Sequence, residues 1–252
     1  MKNILFICAL NEEKTALTNL LGPLKHTHTL SKALQVSVEQ YQHQTLTVYV
    51  SESGMGSVNA ASKLAIILQH FQIDQILLIG VGGALHSSLE IGDMLVTDKV
   101  IQHDYYSSLT QGNYLMRPGD LILDEQQSHG YNPVLASTNG LFPVDKLNHS
   151  QIRIVKGIMA SGSEFVGTSE RKNAIHQQCQ KALLVDMEAC GIAVIANQSS
   201  IPFVVAKTVS DKLHADGSIS QDFSQFLAYA SRNAAIIAQL ILDLISARNH
   251  HA

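Results

Sequence analysis

The residues able to do chemistry in this chain are carboxylates that follow apolar runs. Phe203 to Asp211, FVVAKTVSD, opens with β-forming apolar residues and ends at Ser210-Asp211. It reads as a buried strand that surfaces at its carboxyl end, where open α/β sheets hold their ligands. Asp211 is therefore placed for acid–base work, or else it caps the next helix or opens a loop. Ile4 to Leu10 is a second apolar run, and Asn11-Glu12-Glu13 follows it. These glutamates either favour the macrodipole of a helix's first turn, or one of them faces the same cleft as Asp211. A third group, Asp186-Met187-Glu188, follows the strand Ala182 to Val185 and opens a helix, MEACGIAVIANQ, apolar on most sides. Acids that open a buried helix need a partner or a ligand, unless a dipole-stabilised helix start is their whole role.

Glycines and one aromatic ring accompany the acids. Ser51 to Asn59, SESGMGSVN, is a Gly-rich turn before an apolar helix from about residue 60 to 71. It either brings backbone N–H groups close to a ligand or simply turns strand into helix. The strand Gln75 to Gly80 is followed by Val81-Gly82-Gly83-Ala84, read as a turn. Its G-x-G-x-x-G pattern fails at Leu85, which argues against a dinucleotide fingerprint. The glycines still remove side chains where something approaches the sheet. Phe165 is an apolar ring inside a polar loop, either folded onto the core or available to stack on a planar ligand.

The elements that must position these residues alternate between strand and helix. After β-structure over 23–50, a turn at 89–93 leads into a strand over 94–100. The chain is then polar and irregular to about 150, with a helix expected within 121–135, and this stretch is a lid, an interface or surface loop. A strand over 153–160, a helix capped by Thr168 or Ser169, and an apolar helix over 223–247 complete the series. No repeat or linker interrupts it, so one α/β domain over 1–252 with a largely buried mixed sheet is expected.

Composition narrows the function further. Hydrophobic residues make up 46% of 252, enough for a large core, and the net charge is −4 with no basic run. Nucleic acid and anionic membrane are therefore disfavoured as main partners. Three cysteines without motif spacing fit a reduced compartment, and no helical HxxxH pair supports a metal site. The N-terminal apolar run is too short for a signal or a span, so a soluble cytoplasmic protein is expected.

Taken together, these segments resemble the nucleoside phosphorylase/nucleosidase superfamily, and within it the methylthioadenosine/S-adenosylhomocysteine nucleosidases. The resemblance rests on ALNEE at 9–13, SGMGSVNAA at 53–61, IGVGGAL at 79–85, IGDMLVTD at 91–98 and HD at 103–104. It continues through SGSEF at 161–165, VDMEA at 185–189, PFVVAKTVSD at 202–211 and DFSQFLAYA at 222–230. It implies a three-layer α/β/α domain with a twisted mixed sheet, assembled as a homodimer or larger oligomer. It also implies hydrolysis of the N-glycosidic bond of an adenine nucleoside without metal or organic cofactor, in methionine salvage. By the same resemblance Asp211 is the general acid near purine N7, and Glu13 orients or deprotonates the attacking water. Glu188 binds the ribose hydroxyls and Met187 packs on the sugar. Phe165 stacks on the base, and the Val166 backbone contacts it. Met55 and the segment around Tyr105 to Leu109 reach the 5′ group, in the same or a neighbouring subunit, and Phe223 closes over that end. Val81, Gly82, Lys207 and Ser210 complete the implied substrate-binding set.

The chain departs from the family pattern at informative places. Leu77 and Leu78 stand where a phosphorylase would carry an arginine, and Val81 stands where a serine is usual, so water is favoured over phosphate as nucleophile. Asp186 replaces the first Glu of Glu-Met-Glu, and Lys207 replaces an arginine, keeping the charge without its bidentate geometry. The alternatives are a purine nucleoside phosphorylase, a futalosine hydrolase, or a non-catalytic nucleoside-binding protein on the same fold.

Overall fold

The computed structural model describes residues 2–138, 146–212 and 222–249, with 222–225 and 248–249 as backbone alone. In chain order the first elements are β1 (Lys2–Cys8), α1 (Asn11–Thr18), β2 (His26–Ser31), β3 (Val36–His43), β4 (Leu46–Glu52), α2 (Ser57–His70) and β5 (Gln75–Ala84). Next come β6 (Met94–Thr97), β7 (Lys99–Gln102), β8 (Tyr106–Leu109), β9 (Gly112–Leu115), α3 (Glu125–Ser128), β10 (Leu135–Ala136), β11 (Ile154–Val155) and β12 (Met159–Ser161). The last are α4 (Ser169–Gln178), β13 (Leu184–Asp186), α5 (Ala189–Gln198), β14 (Phe203–Asp211) and α6 (Asp222–Asn249).

β5 is the strand on which the sheet turns. Its first half lies parallel between β1 and β14, and its last residues pair antiparallel with β13. Beyond β1 the order continues through β4, β3 and β2; beyond β13 it continues through β12, β7 and β10. β1, β5 and β14 are apolar at nearly every position because both sheet faces are covered. Ile4, Phe6 and Cys8 of β1 share one core with residues of α1 and α6, while Leu5 and Ile7 share the other with residues of α2 and α5. The result is the expected mixed sheet between two helical layers.

α6 is long and apolar enough to cross a bilayer by length and composition, but 61% of its most apolar stretch is buried in the protein. That burial is what a core helix shows.

Several expectations are corrected. Val81 to Ala84 is no turn: β5 runs through it to Ala84. The stretch 94–100 is two strands, β6 and β7, meeting at Asp98, and 153–160 divides into β11 and the start of β12. The helix expected within 121–135 is one turn, α3. Part of the stretch expected to be irregular after residue 105 is the β8–β9 hairpin. The helix opened by the 186–188 acids starts at Ala189, with Glu188 as its N-cap residue.

Candidate active site

The strands' carboxyl ends converge on one cleft. It is lined by Ala9, Leu10 and Glu13 after β1, Met55 after β4, and Val81 to Gly83 in β5. Glu164 to Val166 follow β12, Val185 to Glu188 lead from β13 into α5, and Ser210-Asp211 end β14. Glu13, Met55, Val81, Gly82, Phe165, Val166, Met187, Glu188, Ser210 and Asp211, all expected in the site, thus share its wall. Five lining residues are acids, and no lysine or arginine lines the cleft among the described residues.

Glu13 is held by backbone. One carboxylate oxygen accepts from the N–H groups of Ala9 (2.8 Å) and Leu10 (3.0 Å), and the other accepts from Val81 N–H (2.8 Å). This settles the two glutamates: Glu12 is exposed, and Glu13 is buried under β5. A Cβ at Gly80 would come within 2.2 Å of a Glu13 oxygen, so the bare backbone there makes room for the carboxylate. Burial raises the Glu13 pKa, Lys207 and the Leu10 N–H oppose the rise, and Glu188 adds to it. A carboxyl shifted this way is suited to accept a proton.

Glu188 bridges layers. One oxygen accepts from Gly56 N–H (3.0 Å), and the other lies 3.1 Å from Lys207 Nζ. Gly56 itself sits at φ +96°, a conformation that favours glycine. Thus a backbone N–H of the SGMG turn serves a carboxylate of the site. Asp186 divides its role, accepting from the Ala189 N–H (3.1 Å) at the start of α5 while also lining the cleft. Burial pushes its carboxyl up to about 6, with Lys207 pulling down and Glu188 pushing up.

Lys207 corrects an expectation. It is fully buried, does not line the cleft, and lies behind Asp186 (3.4 Å) and Glu188 (3.1 Å). Its burial disfavours the ammonium, but Glu188, Glu13 and Asp186 outweigh this and raise its pKa. It pairs with carboxylates that line the cleft and does not itself reach it.

Asp211 is reached through a register shift. β14 pairs residue for residue with β5 up to Val209, then slips so that Asp211 stands opposite Gly83. Such an irregularity re-aims a side chain at a strand end. Ser210 Oγ lies 3.0 Å from Asp211 Oδ1 and 3.2 Å from the Gly82 carbonyl oxygen, and its single proton serves one of them at a time. Asp211 is neither a helix cap nor a loop acid, but a nearly buried strand residue facing the cleft.

Two features escape the sequence reading. Lys172 of α4 is fully buried and ion-pairs with Asp211. Written as SERKN, it looks like part of a solvated helix start, and no spacing signals its partner. Asp104 of the HD pair accepts from Ser163 N–H (2.6 Å) and Gln102 Nε2 (2.7 Å), bracing the loop that carries Phe165. Phe165 is 64% exposed over the cleft, while Val166 is buried beside it. Tyr106 of β8 lines a separate groove, and no residue from 105 to 109 lines the cleft of its own chain. The Phe223 side chain lies outside the described residues.

A three-layer fold with acids gathered at the strand ends defines a class, and sequence comparison identifies it. The chain belongs to the Phosphorylase superfamily, whose profile matches residues 3–246. It is 28% identical over 237 residues to a 5′-methylthioadenosine/S-adenosylhomocysteine nucleosidase of Staphylococcus epidermidis, covering 94% of this chain and 97% of the relative. The corresponding nucleosidase of Neisseria meningitidis, solved with methylthio-immucillin-A, superposes with a TM-score of 0.79 at 25% identity, covering 96% of this chain and 99% of that one. A futalosine hydrolase of Helicobacter pylori shares the fold with a TM-score of 0.81 at 23% identity, covering 96% and 97%.

Proposed function

We infer that this chain is an N-glycosyl hydrolase that cleaves 5′-substituted adenine nucleosides such as methylthioadenosine or S-adenosylhomocysteine. The products are adenine and the 5′-substituted ribose. The observation that carries the reading is the charge of the cleft: acids line it, and among the described residues no cationic side chain does. Such a wall disfavours a phosphate nucleophile and suits a substrate that becomes cationic at C1′. The 28% identity to a named nucleosidase over nearly the whole chain supports the same reading.

The assigned roles are those the family resemblance implies, and the positions of the residues around the cleft support them. Adenine leaves poorly as an anion, so Asp211 donates a proton to N7 as the N9–C1′ bond breaks. The ribosyl cation forms between carboxylates that stabilise it. Glu13, fixed by three backbone N–H groups, takes a proton from the water that attacks C1′. Glu188 receives the ribose hydroxyls, Met187 packs on the sugar, and Phe165 stacks on the base. General acid and general base help each contribute typically about 10²–10⁴-fold. In this reading the protein is a single-domain, cytoplasmic homodimer of methionine salvage.

Base release from methylthioadenosine, S-adenosylhomocysteine, adenosine and inosine, with and without phosphate, tests the proposal. Phosphate-independent release of adenine with free reducing sugar is expected. Release that requires phosphate and yields ribose 1-phosphate would overturn the hydrolase. Adenine binding without release from any nucleoside would indicate a silent binding protein. A second reading, futalosine hydrolysis, draws on the fold shared with the Helicobacter pylori enzyme and is tested by adding futalosine to the same panel.

A further inference from the structure

We propose that Lys172, acting through Asp211, is the source of the proton that the departing base receives. The inference rests on the nucleosidase reading and concerns how the acid of that site is supplied.

Lys172 is in an expensive position. Its side chain is about 1% exposed, and it is the fourth residue of α4, near the positive end of the helix dipole. Burial and dipole both disfavour an ammonium there. Among the described residues the one hydrogen-bond partner of its ammonium is Asp211 Oδ2. The strand opposite leaves room for the pair: a Cβ at Gly83 would stand 2.9 Å from Asp211 Oδ2 and 3.3 Å from Lys172 Nζ.

This arrangement alters what Asp211 can do. A carboxylate held against an ammonium is an acceptor, and an acceptor cannot protonate a leaving group. In such an ion pair the ammonium is the partner with a proton to give. As the N9–C1′ bond breaks, its electron pair goes to the purine; Asp211 takes the proton from Lys172 and passes that same proton on to the purine. Water adds its oxygen to C1′ and passes a proton to Glu13. The cycle leaves Lys172 neutral and Glu13 protonated, and exchange with solvent restores both. Atoms and charge balance to one water and one nucleoside. Lys172 does not line the cleft, so it is a positioning residue that works through Asp211.

The other charged or titratable groups around the pair are identifiable. Glu13, Asp186 and Glu188 line the cleft with Asp211, and Lys207 lies behind them. On α4, His176 stands one turn beyond Lys172 and stacks on His86, which follows β5 (5.0 Å between ring centroids). Glu164 is paired with Arg171 (2.8 Å), and Lys212 is paired with Glu90.

Two variants of the full-length protein test the relay, Lys172→Gln and Lys172→Arg, each checked for folding by circular dichroism. A carboxyl without a cationic partner releases its proton several pH units below an ammonium. The alkaline limb of kcat/KM for adenine release should therefore move to lower pH in Lys172→Gln, by more than about one unit. Arginine keeps the charge but does not give up its proton. Lys172→Arg should therefore fall by about 10²–10⁴-fold across the pH range, without rescue. Wild-type rates in Lys172→Arg, or an unmoved limb in Lys172→Gln, would overturn the inference while leaving the hydrolase intact. If the arginine does not fit the buried site, the limb of Lys172→Gln decides alone; if neither variant folds, the limb is read in Lys172→Met, where an unmoved limb overturns the relay. Wild-type protein that releases no base from any purine nucleoside overturns both readings.

Discussion

Replacing Lys207 by methionine should expose how the acid cluster is held. The ammonium lies 3.1 Å from Glu188 and 3.4 Å from Asp186, fully buried, and methionine keeps much of its length while removing its charge. Breaking a buried ion pair by deleting one partner costs about 3–5 kcal/mol, because the remaining charge is left uncompensated. For a chain of this size that corresponds to a fall in Tm of roughly 6–20 °C. The loss should depend on pH. Asp186, pushed up to about 6 in the folded protein, holds its proton more tightly than in the unfolded chain. A carboxyl shifted upward contributes stability that is complete below its unfolded value, about 3.9, and is lost as pH rises through its folded value. Without Lys207 the Asp186 carboxyl stays protonated to still higher pH, so the deficit should be large at pH 8 and shrink toward pH 5. Thermal melts of both proteins at the two pH values measure it. A deficit below about 1 kcal/mol at pH 8, or an equal deficit at both, would refute this account of the cluster.

Other perturbations separate the site's parts. Asp211→Asn should reduce base release by about 10²–10⁴-fold and, by stranding Lys172, lower stability by about 3–5 kcal/mol; adding Lys172→Met should recover stability in denaturant titration but not activity. Glu13→Gln keeps the side-chain size but removes the proton acceptor, so kcat should fall by about 10²-fold or more while adenine binding by calorimetry changes little. Thr168→Ala removes the side-chain oxygen that accepts from Arg171 N–H (3.2 Å) at the start of α4, and should cost about 1 kcal/mol in thermal unfolding.

What the sequence makes legible is what both faces of the sheet enforce. β1, the first half of β5 and β14 read correctly because strands covered on both sides must be apolar throughout. Glu13, Glu188 and Asp211 could be placed because they follow such runs, and the cleft lies where the runs end. Their alternatives could not be resolved, since an acid in a first helical turn looks the same buried or exposed. The β5 glycines were misread as a turn because glycine weakens a strand signal; here the strand continues, and their bareness admits side chains from neighbouring elements. Lys172 and the role of Lys207 were illegible for a different reason. Partners 39 residues apart for one, and 19 and 21 apart for the other, become neighbours only when the sheet has formed.

The bare positions of β5 bear on how freely the protein can vary. At Gly80 and at Gly83 a single methyl group would collide with a carboxylate oxygen, of Glu13 in one case and Asp211 in the other. These acids belong to different elements, Glu13 to α1 and Asp211 to the end of β14. One strand therefore sets the clearance of both, and drift along it cannot be absorbed by adjusting one acid alone. In a library of single substitutions, alanine at these two glycines should be tolerated less well than alanine at the exposed Glu12, next to Glu13 at the start of α1. Along β5, substitution is limited by the empty space kept for the two carboxylates.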